Sequence, residues 1–170
     1  MTYDEFVAAR LQPLLRYAVM LTGDRHLAED LVQETMVRVQ LKWRRVAAAD
    51  VPELYVKRML TNAYVDVRRG SWLRRVVLRA DQDERDGVMA DPAEQTVSRD
   101  YVWRMLVDLP PRQRAALVLR YYEGLADNDI AEVLGCAVGT VRASVSRALA
   151  TLRIRMDITP TSLLTGGEVR

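Results

Sequence analysis

The sequence predicts an all-α protein: two small helical domains joined by a flexible linker, the second containing a helix-turn-helix. Three observations point to this. Apolar residues recur at intervals of three to five almost throughout the 170 residues, the spacing of a single buried helix face. No strand-like alternation runs long enough to build a sheet. In mid-chain a polar run, Asp81-Gln82-Asp83-Glu84-Arg85-Asp86, breaks the helical pattern and is followed by Gly87 and Pro92. Hydrophobic residues make up 49% of the chain, enough for real cores and unlike a disordered protein. The abundance of Leu, Ala and Arg favours helices, because their side chains lose little rotamer freedom there.

Each element has its own signal. Phe6 to Leu21 reads as the first helix, ending at Thr22 and Gly23. Leu27, Leu31, Val32, Thr35 and Val39 mark the buried face of the second. Asp24 is placed to cap it, with Glu29 and Asp30 near its positive end. Trp43 to Val51 reads as a loop, and Pro52 suits the first turn of a helix expected to stop at Gly70. These elements form a first domain, residues 1–70. Residues 71–91 read as the linker; about 20 extended residues reach roughly 65 Å, enough to hold two domains well apart.

The second domain spans residues 92–156. Val97, Tyr101, Met105 and Leu106 make one stripe, and Leu109-Pro110-Pro111 breaks it and starts the next helix. That helix ends at Glu123-Gly124, with Gly124 suited to a left-handed cap. Helices from Asp127 to Leu134 and from Val138 to near Arg155 follow, separated by Gly135-Cys136-Ala137. The tail, residues 157–170, carries Pro160, Gly166 and Gly167 and is expected to fray.

Composition excludes several classes of protein. Cys136 is the only cysteine, so there is no intramolecular disulfide and no cysteine-rich metal site. His26 is the only histidine and no glycine-rich phosphate loop is present, so no catalytic constellation, metal or cofactor is expected. His26 reads as a surface residue beside Arg25, and Cys136 as a small buried side chain in a turn. No segment approaches the roughly 20 apolar residues that cross a bilayer. Met1 to Arg10, with Asp4 and Glu5, lacks a signal-peptide pattern. The expectation is a soluble, cytoplasmic protein with no membrane insertion.

Net charge is only +2, but its distribution is uneven. From Ala137 to Met156 the ionisable residues are Arg142, Arg147, Arg153 and Arg155, with no acid among them. A second basic series runs Arg38, Lys42, Arg44, Arg45, Lys57, Arg58, Arg68, Arg69, Arg74, Arg75 and Arg79. Such clusters suit phosphate contact, the more so as Lys42 and Lys57 are the only lysines. The alternative is a set of solvated helix faces.

Asp127 to Arg142 has the layout of a helix-turn-helix. Ala131 fits where two crossing helices approach closely, Gly135 can take the positive φ of a tight turn, and Ile130, Leu134, Val141 and Val145 are spaced to bury the inner faces. Gly139, Thr140, Arg142, Ala143, Ser146 and Arg147 remain outward, where short polar groups and arginines can enter a major groove. A plain helical hairpin in a bundle is the competing reading. Ala126 and Ala137 are weak helix starts, since neither offers a capping oxygen; Asp127 or Asn128 could replace the first.

Leu109-Pro110-Pro111-Arg112-Gln113-Arg114, Leu119-Arg120-Tyr121-Tyr122-Glu123-Gly124-Leu125 and the hairpin resemble the C-terminal domain of extracytoplasmic-function RNA polymerase sigma factors, and the arginine-rich, lysine-poor style looks like that of their actinobacterial SigE-like subgroup. That domain reads the minus-thirty-five promoter element, which implies DNA contact by Thr140, Arg142, Ser146 and Arg147. The family more often has Ser at 126 and 137, and a basic residue where this chain has Ser144.

Asp30, Gln33, Glu34, Val37 and Leu41 share one face at helical spacing. Acids beside apolar residues suit either an ordinary solvated face or a docking strip for a basic helical partner. Ala28-Glu29-Asp30-Leu31-Val32-Gln33-Glu34-Thr35 resembles the family's core-binding helix, which implies docking on core RNA polymerase. Arg58, Asn62, Val65, Asp66 and Arg69 share one side of the next helix, with Val56, Leu60, Ala63 and Val67 on another. Asn62 can offer donor and acceptor to an unstacked base while arginines follow a single strand. Tyr55 to Arg69 resembles the family's minus-ten region, implying contact with melted promoter DNA by Arg58, Asn62, Asp66 and Arg69. The resemblance further implies an anti-sigma partner of unspecified identity, and catalysis that belongs to the polymerase. A stand-alone helix-turn-helix transcription regulator explains the C-terminal half alone and leaves the Asp30 strip without a purpose.

Overall fold

The computed structural model describes residues 1–79 and 104–158, and its regular elements are all helical. Helix α1 spans Tyr3–Thr22. Thr2 opens it with a reciprocal cap: its hydroxyl accepts from the Glu5 amide, and the Glu5 carboxylate accepts from the Thr2 amide. Helix α2, Arg25–Leu41, is capped as expected by Asp24, whose carboxylate accepts from the Leu27 amide at 3.1 Å. Its stripe of Leu31, Val32, Thr35 and Val39 is buried against α1.

Two boundaries differ from the sequence expectation. Trp43–Ala47 is a short helix, α3, where a loop was predicted. Its packing explains the order: Val46 is fully buried, and the Trp43 ring meets Tyr3 edge-on at 5.8 Å and Phe6 at 5.5 Å. Helix α4 runs Pro52–Arg79, straight through Gly70 into the residues read as linker. Gly70 is not among the glycines with positive φ, so it costs the helix about 1 kcal/mol relative to Ala without ending it. Among α4 residues 52–70 the buried side chains are Val56, Lys57, Leu60, Thr61 and Tyr64, whereas Val67, expected on that face, is exposed.

After a helical turn at 104–107, Pro111–Leu117 forms α5, which runs directly into a π-helical turn, Val118–Tyr122. Helices α6 (Asp127–Leu134) and α7 (Val138–Ile158) complete the chain, α7 running slightly past its predicted end. Gly124 adopts the left-handed conformation expected of it, with φ 68°. The acidic run at 81–86, the Val97 and Tyr101 positions and the tail beyond 158 lie outside the described residues.

The architecture is all-α with two helical units, but these are not held apart. Helix α4 packs against both α5 and α6, and one continuous apolar core joins the halves. Polar contacts fix the docking. The Arg114 side chain, 2% exposed, crosses from α5 to donate from Nε and Nη2 to the Met20 carbonyl at 3.3 and 3.1 Å. Arg68 donates to the Thr22 carbonyl at 2.9 Å. Helix α1 has no basic residue in its own last turn, so guanidinium groups from elsewhere satisfy its C-terminal carbonyls. Gly23 closes α1 at φ 68°, and a Cβ there would meet Arg114 Nη2 at 3.2 Å.

Lys57 is the second tie. Its ammonium lies 2.9 Å from Glu53 Oε1, donates to Glu123 of the other half, and sits 5.9 Å from the Tyr17 ring centroid. Thr61 spends its single proton on the Lys57 carbonyl at 2.6 Å, so the Tyr17 hydroxyl is the donor in its 2.7 Å bond to Thr61. Burial alone would lower the Lys57 pKa, but hydrogen bonds to Glu123 and Glu53 outweigh it and hold the ammonium above its ordinary value.

Lys57→Met leaves two carboxylates facing each other and is expected to lower unfolding free energy by about 3–5 kcal/mol. Glu123→Gln keeps the Glu53 partner and should cost about 1–2 kcal/mol; urea unfolding measures both. With the folded pKa raised, the Lys57 contribution is complete below the unfolded value of about 10.4 and fades as pH rises through the folded one. The stability difference between wild type and Lys57→Met should therefore stay constant from pH 7 to 9.

Candidate nucleic-acid and polymerase interfaces

The helix-turn-helix forms as its residues dictate. Gly135 ends α6 at φ 61° and ψ 43°, and the Cys136 amide turns back to the Ala131 carbonyl at 3.0 Å. Arg112 donates to the Leu134 carbonyl and so caps α6 from α5. Ile130, Ala131, Leu134, Val141 and Val145 are buried, which seats α7 on α6. Cys136 is half-buried in the turn.

With that face committed, the opposite side of α7 faces outward. Gly139, Thr140, Arg142, Ser146 and Arg147 are all exposed, and Ala143 is half-buried. The face thus presents a strip of hydroxyls, small residues and two arginines. Ser144, where a basic residue was the family norm, is half-buried on its flank. Arg153 is exposed further along, whereas Arg155 turns inward and donates to the Met105 carbonyl at 2.7 Å.

Arg142 is not isolated. Its Nε donates to Asp127 Oδ2 at 3.0 Å, while Arg120 holds the other carboxylate oxygen. Those hydrogen bonds, from Arg142 first and Arg120 second, keep Asp127 below the usual carboxylate range. Asp127 therefore does not replace the missing cap. Ala126 occupies the N-cap position with extended backbone, φ −70° and ψ 157°, and makes no side-chain cap bond.

In the first half, Asp30, Gln33, Glu34, Val37 and Leu41 all lie on the open face of α2. Val37 is 54% and Leu41 81% exposed. Glu34 pairs with Arg38 one turn on at 2.5 Å, an exposed contact worth little and readily exchanged. On α4, Arg58, Asn62, Asp66 and Arg69 are exposed along one side, with Val65 half-buried among them. Arg58 reaches the helix-turn-helix: its Nη2 lies 3.6 Å from where a Gly135 Cβ would stand. Lys42, Arg44 and Arg45 are exposed around α3. His26 is exposed, as expected.

Sequence reading missed two features. The π-helical turn leaves Tyr121 and Tyr122 exposed, and no spacing rule flags such an insertion. The ties between the halves were also missed, although Lys57, one of two lysines in an arginine-rich chain, was a usable signal. Among the described residues no group of three or more His, Cys, Asp or Glu side chains could hold a metal ion. No single helix among them is long and apolar enough to cross a membrane.

Comparison with known proteins agrees with this geometry. Residues 6–80 match the model of sigma-70 region 2, and residues 99–152 match that of sigma-70 region 4. A region 2 unit followed by a region 4 unit is the layout of an RNA polymerase sigma subunit. The RNA polymerase sigma-E factor of Streptomyces avermitilis is 32% identical over 157 residues, covering 91% of this chain and 85% of that protein. The ECF RNA polymerase sigma factor SigL of Mycobacterium tuberculosis is likewise 32% identical, covering 91% and 86%. In fold, the chain is similar to the sigma factor RpoE of Bartonella quintana, solved in complex with the anti-sigma factor NepR. That match has a TM-score of 0.68 at 23% identity, covering 93% of this chain and 98% of that one. CnrH, solved with the cytosolic domain of CnrY, matches with a TM-score of 0.62 at 21% identity, covering 93% and 89%.

The chain belongs to the extracytoplasmic-function family of sigma factors, in the subgroup that includes SigE and SigL. It binds RNA polymerase and directs transcription initiation, and the chemistry is the polymerase's own. The stand-alone regulator is thereby set aside, because residues 6–80 match sigma-70 region 2.

Ala126 already has the backbone of an N-cap, so Ala126→Ser should add about 1 kcal/mol of stability, read as a rise in thermal midpoint. No rise would mean that α6 does not begin at Asp127.

Proposed function

We propose a division of labour among three surfaces. Asp30, Gln33, Glu34, Val37 and Leu41 of α2 dock on core RNA polymerase, the acids meeting basic side chains around an apolar centre formed by Val37 and Leu41. Arg58, Asn62, Asp66 and Arg69 of α4 hold the melted minus-ten strand, Asn62 reading a base edge and the arginines following phosphates. Thr140, Arg142, Ser146 and Arg147 of α7 read the duplex minus-thirty-five element in the major groove. The observation that supports this best is the outward face of α7, an exposed arginine-bearing strip with no acid of its own from Ala137 to Met156.

The promoter elements are centred about 25 base pairs apart, roughly 85 Å of duplex. Helices α4 and α6 pack together here, so α6 leaves α4 when both elements are engaged. The sigma factors RpoE and CnrH, similar in fold, were solved with NepR and with the cytosolic domain of CnrY. An anti-sigma partner of this kind is the regulator we assign to this chain, acting in the cytoplasm, where the polymerase works.

Replacing Asp30, Gln33 and Glu34 together with Ala should weaken core binding at least tenfold while leaving the thermal midpoint unchanged; unaltered affinity removes the docking strip. Arg142→Ala or Arg147→Ala should cost about 1–3 kcal/mol in upstream-element recognition where the arginine is bidentate to guanine. Equal losses on every sequence would mark that arginine as a phosphate contact instead. Both are read by competition binding of the polymerase complex to promoter duplexes.

A further inference from the structure

We propose that Asp127 is a positioning residue for promoter reading: it holds the Arg142 guanidinium by one edge, so that the terminal fork points at a guanine. The inference rests on α7 being the promoter helix. Asp127 is not on that helix. It opens α6, fifteen positions earlier in the chain, and meets Arg142 only because the Gly135 turn folds α7 across α6.

The geometry is specific about which nitrogen is used. Arg142 Nε donates to Oδ2 at 3.0 Å. A guanidinium carries five N–H donors in a rigid plane, so an occupied Nε leaves Nη1 and Nη2 as an end-on pair. That pair matches the O6 and N7 acceptors on the major-groove edge of guanine. While that contact holds, the side-on fork that uses Nε is occupied. Arg120 binds Oδ1, which fixes the carboxylate in turn and leaves the triad with one net positive charge beside DNA. Because Asp127 sits below the usual carboxylate range, it is ionised throughout the physiological window.

This contact does little for the fold. The Arg142 side chain is 70% exposed, and ion pairs so open to water contribute little to stability. What the contact supplies is preorganisation. An arginine biased toward one arrangement gives up less side-chain freedom when it binds, and it discriminates better because the alternative orientations are less populated. Removing Asp127 should therefore show in selectivity at one base pair before it shows in unfolding.

The test uses the full chain with core RNA polymerase, a promoter it transcribes, and that promoter with each base pair of the upstream element substituted singly. Competition binding is measured for wild type, Asp127→Asn, Arg142→Ala and the double variant. Arg142→Ala should flatten the preference at one position. Asp127→Asn should reduce the same preference about 3- to 10-fold, with the thermal midpoint unchanged, and the double variant should be no worse than Arg142→Ala. If Arg142→Ala leaves every preference intact, the assignment of Arg142 to base reading fails. If Arg142→Ala acts but Asp127→Asn does nothing, affects all sequences equally, or adds fully to Arg142→Ala, the positioning role fails.

Discussion

The Lys57 ammonium is the point through which the two halves of this molecule are joined. Only 5% of the residue is exposed, and a charge so removed from water persists only when partners surround it. Glu53 on its own helix supplies one, and Glu123 from the other half supplies another. Glu123 follows the π-helical turn directly, its amide bonding back five residues to the Val118 carbonyl at 3.0 Å. The irregular end of α5 therefore sets where Glu123 stands, and Glu123 sets how α5 and α6 lie on α4. Arg114 can then reach the open carbonyls at the end of α1, a path that stays clear because Gly23 has no side chain.

This docking decides which faces are left for partners. Helix α2 turns its apolar stripe to α1 and its acids outward, and α7 turns its stripe to α6 and α5 with Arg142, Arg147 and Arg153 outward. The α4 face differs, since Arg58 at its near end rests beside the Gly135 turn while Asn62, Asp66 and Arg69 remain exposed. Two of the three surfaces are thus accessible in the docked form, and the third is partly shared with the other half of the molecule.

Most of the architecture was legible because it rests on local periodicity. The stripes of α2 and α6, the Asp24 cap, the end of α1 at Gly23 and the left-handed glycines at 124 and 135 follow from spacing and backbone preference alone. The outward residues of α7 were legible for the same reason: fixing Val141 and Val145 inward leaves Thr140, Arg142, Ser146 and Arg147 nowhere else to point. What escaped was set by contacts distant in sequence. Helix α3 exists because Trp43 finds Tyr3 and Phe6, some forty positions earlier. Gly70 looked like a stop because glycine often is one, yet nothing there turns the chain to positive φ. Lys57 read as one more basic residue on a DNA-facing helix, whereas burial and two carboxylates make it structural. Asp127 read as a substitute cap, and its tie to Arg142 becomes visible only once α7 is folded across α6.

Promoter-specific initiation is tested most directly by run-off transcription over a pool of genomic fragments from the source organism. Core RNA polymerase from that organism would be used with and without this chain. Discrete new transcripts that share two upstream elements, appearing only with the chain present, are the predicted result. A chain that fails to bind core polymerase, or binds it and yields no promoter-specific transcript, would contradict it.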